Sequence, residues 1–303
     1  MEHVDVNARR PGYRGALLFV PGDHPRRTAR ALASTADAVV LDLEDAVAAS
    51  AKKTARGNVV EEVRAHTRPD VLVRVNAVGT EACDRDLDAL EPVLDRLAGL
   101  VLPKVESVAE VERVAARLAR AERRAGPTRL VPVLESARGV MAAEEIASAP
   151  CVVTLIFGVL DLAASLGVAP TVAGTEFLLA RSHLVLASRA AGISPPVDGP
   201  HVSLDDEQAL VDSCRSARGL GFGGRVVIHP AQIEPVQRAY APSATELAWA
   251  RRVLDAFEHA QREGVAAIRL ADGTFVERPV VTRAAALLGS GSTAEGQMTD
   301  DRD

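Results

Sequence analysis

Short apolar runs rich in Val, Leu and Ala alternate with helix-period stretches through most of this chain, and several of the runs stop on a charged residue. Residues 15–20, 37–42, 71–76, 99–103, 130–134, 152–158, near 195–199 and 224–229 read as strands. Between them lie helical segments, among them 84–97, 107–124 and 205–219, the second opened by a Ser107–Glu110 capping box. Eight strands, each followed by a helix, within about 240 residues predict an α/β fold of the (β/α)8 TIM-type barrel class. An open, doubly wound sheet is the competitor. No GxGxxG follows the first strand, which disfavours its dinucleotide-binding version.

The alternation stops after Tyr240. Pro242 and Ser243 precede a helix that runs to about Glu263, an Asp272–Gly273 turn joins two short apolar runs into a hairpin, and Pro279 opens a last helix to about Leu288. The expected division is an N-terminal extension over 1–13, the barrel over 14–240, a C-terminal helical and hairpin appendage over 241–289, and a disordered Ser/Gly/Asp-rich tail over 290–303. The appendage reads as too small for a core of its own, so it is expected to dock on the barrel mouth or on a neighbouring subunit.

Composition narrows the function classes. Hydrophobic residues make up 48% of the 303 residues but aromatics only 3%, so Ala, Val and Leu must fill a large core. The formal net charge of −6 is half concentrated in the last fourteen residues, which leaves the folded body nearly neutral and offers no basic face for nucleic acid. No apolar run reaches membrane-spanning length, and residues 1–10 lack the apolar core of a signal peptide. Cys83, Cys151 and Cys214 form no CxxC pair, which suggests neither a disulfide framework nor a zinc site; a cytoplasmic setting is the simplest expectation.

The strand ends carry the chemistry. In a parallel α/β fold an apolar run that stops at a carboxylate places it at the C-terminal edge of the sheet or barrel, where such folds keep their sites. Leu130–Leu134 runs into Glu135, and Val152–Gly158 leads to Asp161. Two acids converging with no Cys or His pattern nearby favour a hard, oxygen-loving cation such as Mg²⁺, with Mn²⁺ as the alternative. Strand 2 ends Asp42–Leu43–Glu44–Asp45, which reads as a solvated acidic loop, as outer support for a cation, or as partners for Arg74. Arg74, flanked by Val73 and Val75, needs an anionic partner: a substrate carboxylate or the strand-2 acids. Lys104, at the end of strand 4, reads either as a Schiff-base nucleophile or as an ion-pairing lysine that orients carboxylates; the metal pair makes the first redundant. His229, after strand 8, either orients a loop or contacts a ligand, and His183 reads as structural. The strand-1 end, Pro21–Gly22–Asp23–His24 with Arg14 just before the strand, is either an exposed turn or a loop near a phosphate or carboxylate.

These segments together resemble the citrate lyase β-subunit-like family of the HpcH/HpaI aldolase group. The matching stretches are Arg14 with Leu17–Gly22, Ala38–Val47, Val73–Asn76, Leu102–Ser107, Glu135–Gly139, Phe157–Gly158 with Asp161–Ala163, and Ile228–Ile233, spread over roughly 14–260. The resemblance implies a barrel in trimers or hexamers, hence a homo-oligomer, with Mg²⁺ held by Glu135 and Asp161. It implies that Arg74 binds the carboxylate of an α-keto or α-hydroxy acid; Arg14, Glu44, Lys104 and His229 are expected beside it in the substrate site. Its members cleave or form a carbon–carbon bond in citryl-, malyl- or citramalyl-type thioesters of coenzyme A, so the expected partners are an acyl-CoA thioester and a 2-keto acid.

The branch acting on free keto acids typically has His where this chain has Asp45, which favours the thioester branch. The alternatives are a metal-dependent aldolase acting on free hydroxy-keto acids and an accessory β-like subunit of a citrate lyase complex. Two departures stand out. The family often carries an Asp, delivered from a neighbouring subunit, where this chain has Glu277, which the resemblance makes the catalytic acid–base beside Arg74. The stretch Gly158–Val159–Leu160–Asp161 is also more apolar than the family's usual pattern.

Overall fold

Period-two alternation sorts the strand residues onto two surfaces, and the architecture follows from that sorting. The computed structural model describes residues 13–121 and 128–295; residues 1–12 of the expected extension, 122–124 of the expected fourth helix and 296–303 of the expected tail lie outside the described residues. Eight parallel strands close into a barrel in chain order: β1 (Gly15–Pro21), β2 (Ala38–Asp42), β3 (Val71–Arg74), β4 (Gly99–Leu102), β5 (Leu130–Leu134), β6 (Ile156–Phe157), β7 (Val197–Asp198) and β8 (Gly224–Val227). β8 pairs back on β1 with Gly15 opposite Gly224, which closes the ring.

The barrel interior is a cluster of Leu17, Ala38, Val40, Leu72, Val101, Val131, Val133, Ile156, Val197 and Val226. The intervening residues, such as Leu18, Val39, Leu41, Val73, Leu100 and Leu134, belong to a second cluster shared with the surrounding helices. Those helices are α1 (Pro25–Leu32), α2 (Lys52–Ala65), α3 (Glu81–Leu90), α4 (Val108–Ala121), α5 (Ala137–Met141), α6 (Ala143–Ser148), α7 (Val159–Leu166), α8 (Leu178–Ala190), α9 (Glu207–Leu220) and α10 (Ile233–Tyr240). Expected elements differ from observed ones mainly at their ends. The segment expected as a helix over 84–97 starts earlier, at Glu81 with Thr80 as its cap, and tightens to a 3₁₀ turn at Glu91–Arg96, where Pro92 sits. At the start of α4 the Glu110 carboxylate accepts from the backbone N–H groups of Glu106 and Ser107.

Parity also explains a buried ion cluster. Val197 and Val226 point inward, so their neighbours Asp198 and Arg225 point outward, beneath the helices. Arg225 is 2% exposed and Asp198 0%. The guanidinium donates to Asp198 at 2.5 Å, to Ser213 Oγ at 2.8 Å and to the Gly199 carbonyl at 3.2 Å, and Arg181 of α8 adds a contact to Asp198 at 3.2 Å. This ties the ends of β7 and β8 to the helices outside them.

The chain divides into two compact units at Tyr240. The second contains α11 (Ala244–Arg262), β9 (Ile268–Arg269), β10 (Phe275–Val276) and α12 (Arg278–Glu295). α11 opens with a complete capping box between Ser243 and Glu246. The hairpin forms as expected, with Val276 opposite Ile268 and Gly273 at φ +88° in the turn. The expectation that this segment lacks a core is corrected: Ala250, Val253, Phe257, Val276 and Ala284 form one, with Trp249, Leu254 and Ile268 against it. The two helices supply apolar faces that the hairpin then covers. α12 runs through Glu295 rather than ending near Leu288, so the stretch expected as disordered from residue 290 begins as helix.

Replacing Arg225 with Met strands the buried Asp198 carboxylate. The expected cost is about 3 kcal/mol, the low end for a broken buried pair because Arg181 remains. Urea unfolding of this variant and of the Asp198→Asn, Arg225→Met double variant checks it; the second change should restore part of the loss.

Candidate active site

Asp42, Arg74 and Glu135 continue the inward parity of Val40, Leu72 and Val133, which brings all three to the C-terminal mouth of the barrel. Asp42 is the fixed point. Its Oδ1 and Oδ2 accept from Arg74 Nε at 2.7 Å and Nη2 at 2.6 Å, a two-pronged pairing. The same carboxylate accepts from the backbone N–H of Glu44 at 2.8 Å and of Ala46 at 3.3 Å. Glu44 Oε2 takes a further contact from Arg74 Nη1 at 3.0 Å, and the guanidinium lies over the Phe19 ring, 5.4 Å from its centroid. Burial disfavours the charge on Arg74, but the bonds to Asp42 and the charges of Glu44 and Glu135 outweigh it and hold its pKa above the ordinary value. The open question about Arg74 therefore resolves toward the strand-2 acids in this structure, while one N–H on Nη1 and one on Nη2 are not used by these contacts.

The loop that carries Glu44 is pinned from behind. Lys52 Nζ donates to the carbonyls of Leu43 and Glu44, both at 2.9 Å. Asn76 Nδ2 donates to Leu43 O at 2.9 Å and to Asp86, which Arg56 holds at 3.0 Å. Lys104 Nζ reaches across the rim to Glu44 Oε1 at 2.5 Å and Asp45 Oδ2 at 2.8 Å. Burial works against this ammonium too, but its bonds to Asp45 and Glu44 prevail and push its pKa up. A lysine held protonated is not a nucleophile, so the geometry supports the ion-pairing reading over the Schiff base.

Glu135, 6% exposed, accepts from the Lys104 backbone N–H at 2.7 Å. Its side chain meets that of Asp161, which sits in the first turn of α7 rather than on a strand end, because β6 is only two residues long. Burial first, and then the Asp161 carboxyl, push the Glu135 pKa to about 8. Gly158 permits this approach: a Cβ there would lie 2.3 Å from Glu135 Cβ and 2.7 Å from its Oε2. Seven ionisable groups meet here, with Arg74 and Lys104 set against Asp42, Glu44, Asp45, Glu135 and Asp161. The two cations are bonded to the strand-2 acids, so the Glu135–Asp161 pair is left short of positive charge. An all-oxygen pair in that condition fits a hard dication that keeps other ligands from water or substrate. Among the described residues no group of three or more His, Cys, Asp and Glu forms a larger metal cage.

Three expected site residues lie elsewhere or act differently. Arg14 precedes β1 and so stands at the N-terminal rim, the end of the barrel opposite the acids, where its Cγ is 3.6 Å from the Cβ position of Gly223. Burial and the nearby Arg189 lower its pKa. The reading of Arg14 as a substrate contact is thereby corrected: a residue before a parallel strand cannot share the edge with residues after it. His229 is exposed at the correct rim, where its Nδ1 accepts from the Ala231 N–H and shapes the loop after β8. Glu277 belongs to the second unit, exposed between β10 and α12, and its carbonyl accepts from the first helical N–H groups of Val280 and Val281. Asp42 itself was read only among the strand-2 acids, as part of a solvated loop, as outer support for a cation or as a partner of Arg74, although its position two residues past Val40 in an inward-facing run was the signal for its central place.

Comparison with known proteins is decisive. The model of the HpcH/HpaI aldolase/citrate lyase family matches residues 15–230. The chain belongs to that family. It is 37% identical over 290 residues to a citrate lyase subunit beta-like protein of Mycobacterium tuberculosis, covering 94% of this chain and 97% of the relative. It is 33% identical over 296 residues to citrate lyase subunit beta of Escherichia coli, covering 95% and 96%. The (3S)-malyl-CoA thioesterase of Cereibacter sphaeroides is 33% identical over 270 residues, 86% of this chain and 89% of that one. The crystal structure of CitE from M. tuberculosis in complex with magnesium, acetoacetate and coenzyme A superposes with a TM-score of 0.77 at 36% identity, covering 93% of this chain and 99% of that one. This HpcH/HpaI family member is thus a citrate lyase β-like enzyme of the oxo-acid lyase type on the same barrel.

The raised pKa of Glu135 has a stability consequence. A carboxyl whose pKa rises on folding contributes stability that is present below its unfolded value and lost as pH climbs through the folded one. Glu135→Gln keeps the neutral form at every pH. In chelator, the stability advantage of this variant over the parent should grow from about pH 5 to about pH 8, as read by urea unfolding at each pH.

Proposed function

We propose that this family member cleaves or forms the C2–C3 bond of a 3-hydroxyacyl-CoA of the citryl, malyl or citramalyl type, exchanging it with an acyl-CoA and a 2-keto acid. The observation that carries the reading is the rim itself: a guanidinium with two unused N–H groups beside an oxygen-only pair short of positive charge. A carboxylate next to a hydroxyl or carbonyl is the ligand that such a pair of features matches. The relatives support the class of ligand, since CitE of M. tuberculosis is seen with magnesium, acetoacetate and coenzyme A, and a citrate lyase beta subunit from the same organism with oxaloacetate and magnesium.

Glu135 and Asp161 would hold the Mg²⁺ or Mn²⁺ ion. Bound there, the ion supplies a Lewis acid that lowers the pKa of the substrate hydroxyl and steadies the developing carbonyl. Arg74 takes the keto-acid carboxylate through its remaining Nη1 and Nη2 hydrogens, and Asp42 keeps the guanidinium plane from turning. In the cleavage direction the hydroxyl gives up its proton to solvent water, its electron pair becomes the carbonyl, and the C2–C3 pair passes to the thioester α-carbon. That carbon then needs a proton. Glu277 is the candidate donor, delivered by a C-terminal unit of a neighbouring copy in a homo-oligomer. Thioester hydrolysis is a second reading, favoured by the similarity to malyl-CoA thioesterase.

Four outcomes are expected. Loading with Mn²⁺ at pH 7 should release close to one proton per ion, because Glu135 holds its proton up to about pH 8 in the metal-free protein; calorimetry in buffers of different ionisation enthalpy measures this. Glu135→Ala and Asp161→Ala should abolish release of glyoxylate, pyruvate or oxaloacetate from a panel of acyl-CoA thioesters, and full activity in excess chelator would overturn the reading. Arg74→Lys should lower kcat/KM on the order of 10²-fold for every substrate that shares the carboxylate. Glu277→Gln should slow exchange of the acyl-CoA α-protons while leaving Mn²⁺ affinity unchanged, and an unchanged exchange rate removes Glu277 as the proton donor.

A further inference from the structure

Lys104 is the one non-glycine residue with positive φ among the described residues, at +55°. An L side chain resists that conformation, and such strain persists only where its surroundings hold it. Here it lets a single residue serve two neighbours. Its backbone N–H meets Glu135 Oε1 at 2.7 Å, while its ammonium turns across the rim to Glu44 and Asp45 at 2.5 and 2.8 Å. The next N–H, that of Val105, reaches back to Val133 O at 3.4 Å, on the strand that leads into Glu135. From the other side the Gly158 backbone packs so closely on Glu135 that no Cβ fits between them. The carboxylate is therefore gripped by main chain on two sides.

We propose that Lys104 is a positioning residue that acts through its backbone: its left-handed turn fixes Glu135 Oε1 and leaves Oε2 for the metal ion, and the ion pairs to Glu44 and Asp45 serve to hold that turn. The proposal rests on the metal-site reading above. It makes the side chain a brace for the main chain. An ammonium acting only by its charge would do the reverse of helping, since a cation beside a dication weakens its binding. The two roles thus predict opposite responses to neutral substitutions. Lys104→Ala removes the brace and keeps the steric resistance to positive φ. Lys104→Gly removes the brace and the resistance together.

The test is Mn²⁺ affinity, read from the electron paramagnetic resonance signal of free Mn²⁺ titrated with each protein at constant pH. Lys104→Ala should raise the Kd about five- to tenfold, in keeping with the cost of restoring a left-handed backbone. Lys104→Gly should bind within about twofold of the parent or more tightly. Lys104→Asn, which tolerates the left-handed region, should follow Gly. Equal shifts for Ala and Gly, in either direction, overturn the proposal, as does an Asn variant that behaves like Ala. A parent that does not bind Mn²⁺ would instead overturn the metal-site reading on which the proposal stands. The Lys104 side chain is 42% exposed, so all three variants are expected to keep the parent's circular dichroism.

Discussion

The pairing of Arg74 with Asp42 organises the mouth of this barrel. A guanidinium placed above the apolar interior could not stay there unpaired. Asp42 satisfies it with two parallel bonds and is itself held by backbone N–H groups of the following loop. With Arg74 fixed, Glu44 has a place to rest, and Lys104 closes the ring from the next-but-one strand. The positive charge of the rim is thereby concentrated on the β2–β4 side. The β5–β6 side, where Glu135 meets Asp161, is left with oxygens and a deficit of charge. The chemistry we assign follows from this asymmetry, not from any one residue.

Much of this was legible in the sequence, and parity tells why. Counting in twos from Val40, Leu72 and Val133 reaches Asp42, Arg74 and Glu135, so a strand boundary correct to one residue suffices to aim all three at the mouth. The same counting places Asp198 and Arg225 outward, yet no pattern in the chain marks them as partners, because their pairing depends on which helix covers which strand. Arg14 was grouped with the strand-1 end although direction alone was enough to separate them: it precedes its strand, and the acids follow theirs. The core of the second unit was underestimated because its apolar residues are divided among two helices and a hairpin, each of which looks sparse by itself. The backbone of Lys104 could not be read at all, since nothing about a lysine announces a left-handed turn.

The ring of strands is uneven. β1 has seven residues and shares a long register with β2, whereas β6 and β7 have two residues each and meet at a single registered pair, Ile156 with Val197. A closed sheet has no edge, but this one has a seam. Along it the backbone bonds from Ser194 N–H to Val153 O at 3.0 Å and from Val197 N–H to Leu155 O at 2.8 Å are joined by a side-chain bond from Thr154 Oγ1 to the Pro195 carbonyl at 2.8 Å and by the Asp198 cluster beside it. Asp161 stands four residues past β6, in the first turn of α7. One member of the proposed metal pair thus follows one of the two shortest strands of the ring, while the other, Glu135, follows the five-residue β5.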